Sequence, residues 1–279
     1  MVGFPETGEI PLRVGFFVGV FVIMALWERM APRRRAERRS VRWPNNLCIV
    51  ALNAGLVRVA FPVTAVGLAL FAEDRGWGLF HAIDMPPWLT VVVSVVLLDL
   101  AIYLQHVLFH AIPALWRLHR MHHADLEFDV TTGLRFHPVE ILLSAAIKLT
   151  VIAALGPPAL AVIVFEILLN ATSMFNHGNV RMLPALDKLM RWLVVTPDMH
   201  RVHHSIHPSE TNSNFGFNLP WWDRLFGTYR DQPRDGHQGM TIGIEQFRTG
   251  RDLWLDRMVI QPLLGPASGY PINREERSR

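Results

Sequence analysis

The chain has a single cysteine, Cys48, among 279 residues. That excludes an intramolecular disulfide and a cysteine-held metal cluster. It has no GxGxxG fingerprint, no P-loop, no CxxC pair and no haem-domain segment at either end, so cofactors held through those motifs are not expected. Charge is also scarce, at 18% of residues against 51% hydrophobic, which argues against a soluble globule. No internal repeat or long linker divides the chain, and residues 1–279 read as one domain.

In place of charge stand apolar stretches long enough to cross roughly 30 Å of hydrocarbon. They cover residues 12–27, 47–72, 88–105 and 141–175. Gly156, Pro157 and Pro158 interrupt the last, which reads as a helical hairpin of two short spans. The expected fold is all-α, a polytopic membrane helical bundle. No small-residue cleavage pattern follows Trp27, Glu28 and Arg29, so the first stretch is an uncleaved helix and not a signal peptide.

Arg33, Arg34, Arg35, Arg38, Arg39 and Arg42, against Glu37 alone, lie between the first two spans. The positive-inside rule makes this loop cytoplasmic, and its place between spans favours topology over nucleic-acid binding. The loop over residues 73–87, with Glu73, Asp74 and Asp84 against Arg75, then lies outside. The third span returns to the cytoplasm, and the hairpin leaves and re-enters on that side. A multi-pass protein of a bacterial inner membrane with a cytoplasmic C-terminus is expected.

Eleven of the thirteen histidines fall in two windows. Within them stand His106 and His110; His119, His122 and His123; and His200, His203 and His204. Residues three and four apart share a helix face, so HRMHH and HRVHH each point three imidazoles one way. Neutral imidazole is a common ligand for iron, zinc, copper and nickel, and eight ligands exceed what one ion takes. Two ions are the economical count, and the topology brings all three groups to one side. Asp99, Tyr103, His106 and His110 form one stripe on the third span. An aspartate inside an apolar run usually marks function, and Asp99 is expected to orient a ligand imidazole.

HVLFH, LWRLHRMHH, RFHPVE, NHGN, TPDMHRVHHS and NSNFGFNLPWWDRLFGTY follow one another over residues 99–229. In order and spacing this series resembles the sterol desaturase and fatty acid hydroxylase superfamily of integral membrane di-iron enzymes. The resemblance implies a cytoplasmic histidine-rich cap holding two irons, dioxygen as co-substrate, and hydroxylation or desaturation of a membrane lipid. It makes the eight histidines ligands and adds His177. Where some members have a further histidine this chain has Ser173, so that ligand is missing or replaced by water, Asn170 or Asn176. Asp223 matches a motif near the site and either supports a ligand histidine or caps a helix. His137 reads as a supporting or structural residue, and His207, before Pro208, is not counted.

Because no haem segment is fused, the resemblance implies electrons from a separate protein, a b-type cytochrome or a ferredoxin with its reductase. Residues 252–264 read either as an amphipathic surface helix or as a packing helix. The last residues, 273–279, read as disordered. Two rival readings are a membrane zinc-binding or metal-transport protein and a b-type haem carrier. The first needs ion-lining polar residues along several spans, which are sparse. The HxxHH groups fit the second poorly.

Overall fold

A computed structural model of the chain describes residues 6–267 and 269–272. The segment 273–279 lies outside the described residues. Among the described residues there is no β-strand, only isolated bridges between Pro32 and Val180 and between Ser205 and Ile242. The long helices are α1 (Glu6–Met30), α2 (Arg39–Ala60), α3 (Ala65–Arg75), α4 (Pro87–Ala111), α5 (Pro113–His123), α6 (Pro138–Leu155) and α7 (Ala159–Asn176). Shorter ones follow: α8 (Pro184–Met190), α9 (Pro197–His203), α10 (Pro208–Thr211), α11 (Trp221–Leu225), α12 (Gly236–Gly239) and α13 (Leu255–Ile260). The fold is all-helical, as expected.

Among the described residues, five segments are long and apolar enough to cross a membrane: Pro11–Met30, Arg39–His81, Pro87–Ala111, Pro138–Leu155 and Ala159–Asn176. The second departs from expectation, because 47–72 is not one continuous helix. Pro62 has no N–H to donate and disfavours helix at the preceding residue. Phe61 is accordingly extended, and α3 restarts behind Thr64, whose hydroxyl accepts the Gly67 N–H at 2.9 Å. The hairpin breaks where it was expected to, with Gly156 at φ +60 closing α6 and Pro158 preceding α7.

The apolar core joins α3, α4, α6 and α7 through Ala69, Leu98, Ile152, Val162 and Phe165. Helix α1 packs on α7, and α2 on α6. The arginine loop sits at the same end of the bundle as the histidines. Arg42 is fully buried and pairs with Asp125 at 2.5 Å and Asp129 at 2.5 Å, while Arg33 reaches Asp198 at 3.1 Å. The segment 252–264 is broken into short turns around α13. Met258 is buried against Ile49 and Met121, so it is a packing element.

Candidate metal centre

All nine sequence-selected histidines are buried and converge. They form two groups, His106, His110, His119, His123 and His203 in one and His122, His177, His200 and His204 in the other. Within each, the potential ligand nitrogens lie within 4.8 Å of one another. One expectation is corrected here. Each HxxHH motif does not aim its three imidazoles at one place. His119 and His123 join the first group and His122 the second, whereas His200 and His204 join the second and His203 the first. At about 100° per residue, positions +3 and +4 lie on opposite sides of the first histidine, so a helix can straddle two adjacent sites. The +4 pairs stay together and the +3 residues cross over.

The outer nitrogens set the proton positions. His106 Nδ1–H donates to Phe215 O at 2.8 Å, His203 Nδ1–H to Ser213 O at 2.7 Å and His119 Nδ1–H to Glu140 Oε1 at 2.6 Å. In the second group His122 Nδ1–H donates to Arg135 O at 3.1 Å and His177 Nδ1–H to Ser173 O at 2.8 Å. Each of these rings, when neutral, turns an Nε2 lone pair inward. Yet those inner nitrogens face one another: His106–His119 at 3.1 Å, His203–His106 at 3.1 Å and His177–His122 at 3.1 Å. Lone pairs opposed at that distance cannot hydrogen-bond to each other. A cation among them satisfies both, and two nitrogens each about 2.1 Å from one ion stand roughly 3 Å apart when at right angles. The residues therefore fit metal ions.

Burial also keeps the rings uncharged. It pushes His122, His123, His200, His203 and His204 well below the ordinary histidine value, with neighbouring imidazoles adding to the effect. His177 falls to about 3 by burial, opposed by its bond to Ser173. Neutral imidazole is the ligating form.

Two loops hold most of the outer nitrogens. The segment after α10 supplies Asn212 Oδ1 to His110 at 3.0 Å, together with the Ser213 and Phe215 carbonyls. Asp223 fastens it, accepting the Phe215 and Gly216 N–H groups at 2.8 and 2.9 Å and the Thr228 hydroxyl at 2.7 Å. Burial raises Asp223 to about 6 against those hydrogen bonds. Asp99 is a second correction. It touches no imidazole, accepting instead the Trp222 indole N–H at 2.8 Å and the Asn218 and Leu219 backbone N–H groups at 3.3 Å. Its stripe-mates Tyr103, His106 and His110 are buried as expected, but α4 presents Asp99 to the loop and not to a ring.

The carboxylate that does orient an imidazole is Glu140, in the first turn of α6. Its signal was an acid near the start of an apolar span, in the run FHPVE. On the other side, Arg135 and Thr132 belong to the 125–135 loop that Arg42 ties down. Asp125 sits at about 2, because Arg42 outweighs the effect of burial. Gly133 permits this loop's close approach, since a Cβ there would meet the Ser173 carbonyl and come within 3.0 Å of the His177 ring.

Ser173, Asn170 and Asn176 bond elsewhere, to the Gly133, Glu166 and Phe217 carbonyls, and the second group has four histidines without them. His137 caps α6 and reaches the Val259 carbonyl at 3.0 Å, and His207 faces Asp235 at 2.8 Å. Neither joins a group.

A cavity of about 390 Å³ leads to His106 and His119 from between α1, α2, α6 and α7. Phe17, Val50, Val57, Ile102, Phe136 and Leu169 make it largely apolar.

A family model described as fatty acid hydroxylase matches residues 91–228. The chain is 29% identical over 225 residues to the ornithine lipid hydroxylase of Rhizobium tropici, covering 78% of this chain and 67% of that protein. It is 26% identical over 266 residues to the alkylglycerol monooxygenase of Danio rerio, covering 94% and 56%. To the cholesterol 25-hydroxylase of Rattus norvegicus it is 25% identical over 146 residues, covering 51% and 47%. The chain thus spans about half to two thirds of the length of these relatives. No solved structure matches it. The matched segment carries every histidine of both groups and the loop that Asp99 and Asp223 hold, and on that ground the chain belongs to the fatty acid hydroxylase and sterol desaturase superfamily.

Proposed function

We propose that this chain is a membrane lipid oxygenase that uses two iron ions, held by His106, His110, His119, His123 and His203 and by His122, His177, His200 and His204. The observation that carries the reading is the pair of adjacent all-histidine groups at the end of a largely apolar cavity. Bound there, two redox-active ions supply the reduction of dioxygen and the oxidation of a C–H bond, which side chains alone cannot do. The chain's own residues bind the lipid chain along Phe17, Val57 and Leu169 and orient His119 through Glu140. Hydroxylation is favoured over desaturation, because the relatives are named as hydroxylases and monooxygenases.

The electrons come from a separate protein, a b-type cytochrome or a ferredoxin with its reductase. The arginine loop, sharing an end of the bundle with the histidines, supports a cytoplasmic site in a bacterial inner membrane. The rival readings fare less well. Nitrogens opposed at 3.1 Å leave no room for a porphyrin between them. Of the charged residues inside the spans, Glu166 is paired with Lys148 and Arg13, and Asp99 is taken up by N–H groups of the 212–228 loop, an arrangement that does not favour an ion path.

The test is metal analysis of anaerobically purified protein. About two irons per chain without a Soret band is expected, as two groups of four or five nitrogen ligands imply. An active preparation that reproducibly holds one metal, or haem, would overturn the reading.

A further inference from the structure

Three oxygen atoms on the cavity wall have no hydrogen-bond donor among the described residues. Asn53 gives its Nδ2–H to the Phe136 carbonyl at 2.9 Å, leaving Oδ1 buried and unpartnered. Gln105 gives its Nε2–H to Ser144 Oγ at 2.8 Å, leaving Oε1 in the same condition. Glu140 accepts from His119 through Oε1, and its Oε2 is buried without a donor. Asn53 is 7% and Glu140 3% exposed, and all three residues line the one cavity.

They also lie together. Phe136, Glu140 and Ser144 follow one another at four-residue intervals into and along the first turns of α6. Asn53 is bonded at the first of these positions and Gln105 at the last. The patch adjoins the metal site, since Glu140 holds His119 and Gln105 precedes His106.

A buried acceptor left without a donor is costly, and the remaining cavity wall is mostly apolar. Three unpartnered acceptors on one wall disfavour an anionic head beside them, whose oxygens would oppose theirs, and offer nothing specific to a bare hydrocarbon terminus; Arg13, the cation that also lines the cavity, is paired with Glu166. They match a group that brings O–H or N–H bonds.

Resting on the lipid-oxygenase reading, we propose that the cavity receives a lipid whose polar head carries hydroxyl or ammonium donors. The head sits against Asn53, Gln105 and Glu140, and the apolar tail runs past Val57 and Leu169. The oxidised carbon is then close to the polar head and not far along the chain.

Metal-loaded full-length protein in detergent is offered two matched pairs of lipids, and retention is read by native mass spectrometry. One pair is a long-chain vicinal diol and its dimethyl ether. The other is a long-chain primary ammonium and its quaternary trimethyl counterpart. Each second member keeps the chain, and in the latter case the charge, but has its donor hydrogens replaced by methyl groups, so the variants below separate loss of donors from added bulk. A preference of at least about 10-fold for the donor-bearing member is expected in one pair, since sites built to hydrogen-bond a group reject analogues lacking it. The pair that shows it separates hydroxyl from ammonium recognition.

Gln105→Leu and Asn53→Leu should reduce that ratio toward unity, while Gln105→Glu, which keeps an acceptor oxygen, should preserve it. Gln105→Leu serves where loss of the Asn53 bond to Phe136 impairs folding. Equal retention within both pairs, or an unchanged ratio in the variants, overturns the proposal. If both members of a pair are also oxidised equally, the lipid-oxygenase reading survives that result. Retention of no lipid at all overturns both.

Discussion

The two sides of the histidine cluster are supported by opposite electrostatic means. The 125–135 loop, behind His122 and His177, is fixed by a buried arginine with two aspartates at 2.5 Å. The 212–228 loop, behind His106, His110 and His203, is fixed by Asp99 and Asp223, whose partners are N–H and O–H groups. The first arrangement holds its carboxylates ionised and is rigid through charge. The second leaves Asp223 at about 6, above the ordinary range, so its grip depends on the geometry of several weaker donors. Support for a metal site can thus be assembled from salt bridges or from a carboxylate-centred turn. The two should fail differently.

The largest expected effect falls on both sides alike. His122→Ala and His203→Ala each remove a ligand from a different group, and either should abolish turnover while metal content falls from about two toward about one per chain. Iron analysis with product assay checks this. Full metal with full turnover in either variant would remove that histidine from the site.

Next comes the charged side alone. Arg42→Met leaves Asp125 and Asp129 buried without their cation, and stability should fall by about 3–5 kcal/mol, read as a lower melting temperature. A loss below about 1 kcal/mol would make the comparison with the other loop empty.

On the uncharged side, Asp99→Asn keeps one acceptor but sets an NH2 against donors. The loop carrying Phe215 should loosen, lowering activity per iron by about 10 to 100-fold with a smaller change in melting temperature than Arg42→Met. Normal turnover per iron in a destabilised protein would assign Asp99 to packing.

The smallest effect is a pH dependence of opposite sign. Asp125 lies at about 2 against an ordinary 3.8, so its contribution is complete above 3.8 and is lost as pH falls toward 2. Asp223 lies at about 6, so the native state binds more protons between 3.8 and 6 and its contribution declines as pH rises through that window. Melting curves should therefore shift in favour of Asp223→Asn over the parent as pH rises from 3.8 to 6. They should shift in favour of the parent over Asp125→Asn as pH rises from 2 to 3.8. Parallel behaviour of the two variants would erase the distinction.

By itself, the sequence determined the helical class, the apolar spans, the break at Gly156–Pro158 and the nine clustered histidines. These follow from run length, from proline and glycine chemistry, and from local spacing, none of which needs a distant partner. The allotment of each histidine to a group was decided only in the tertiary structure. The +3 and +4 positions of an HxxHH motif diverge around the helix, and which side meets which site depends on where α5 and α9 face each other. The same holds for the carboxylates. Asp99 lies on the expected stripe, yet its partners are more than a hundred residues away in the 212–228 loop. Glu140, an acid in a helix first turn with no local sign of its partner, meets His119 because α6 starts beside α5. The break at Pro62 and the burial of Arg42 have the same lesson. A residue's chemistry is local, but the group it meets is set by packing across the whole bundle.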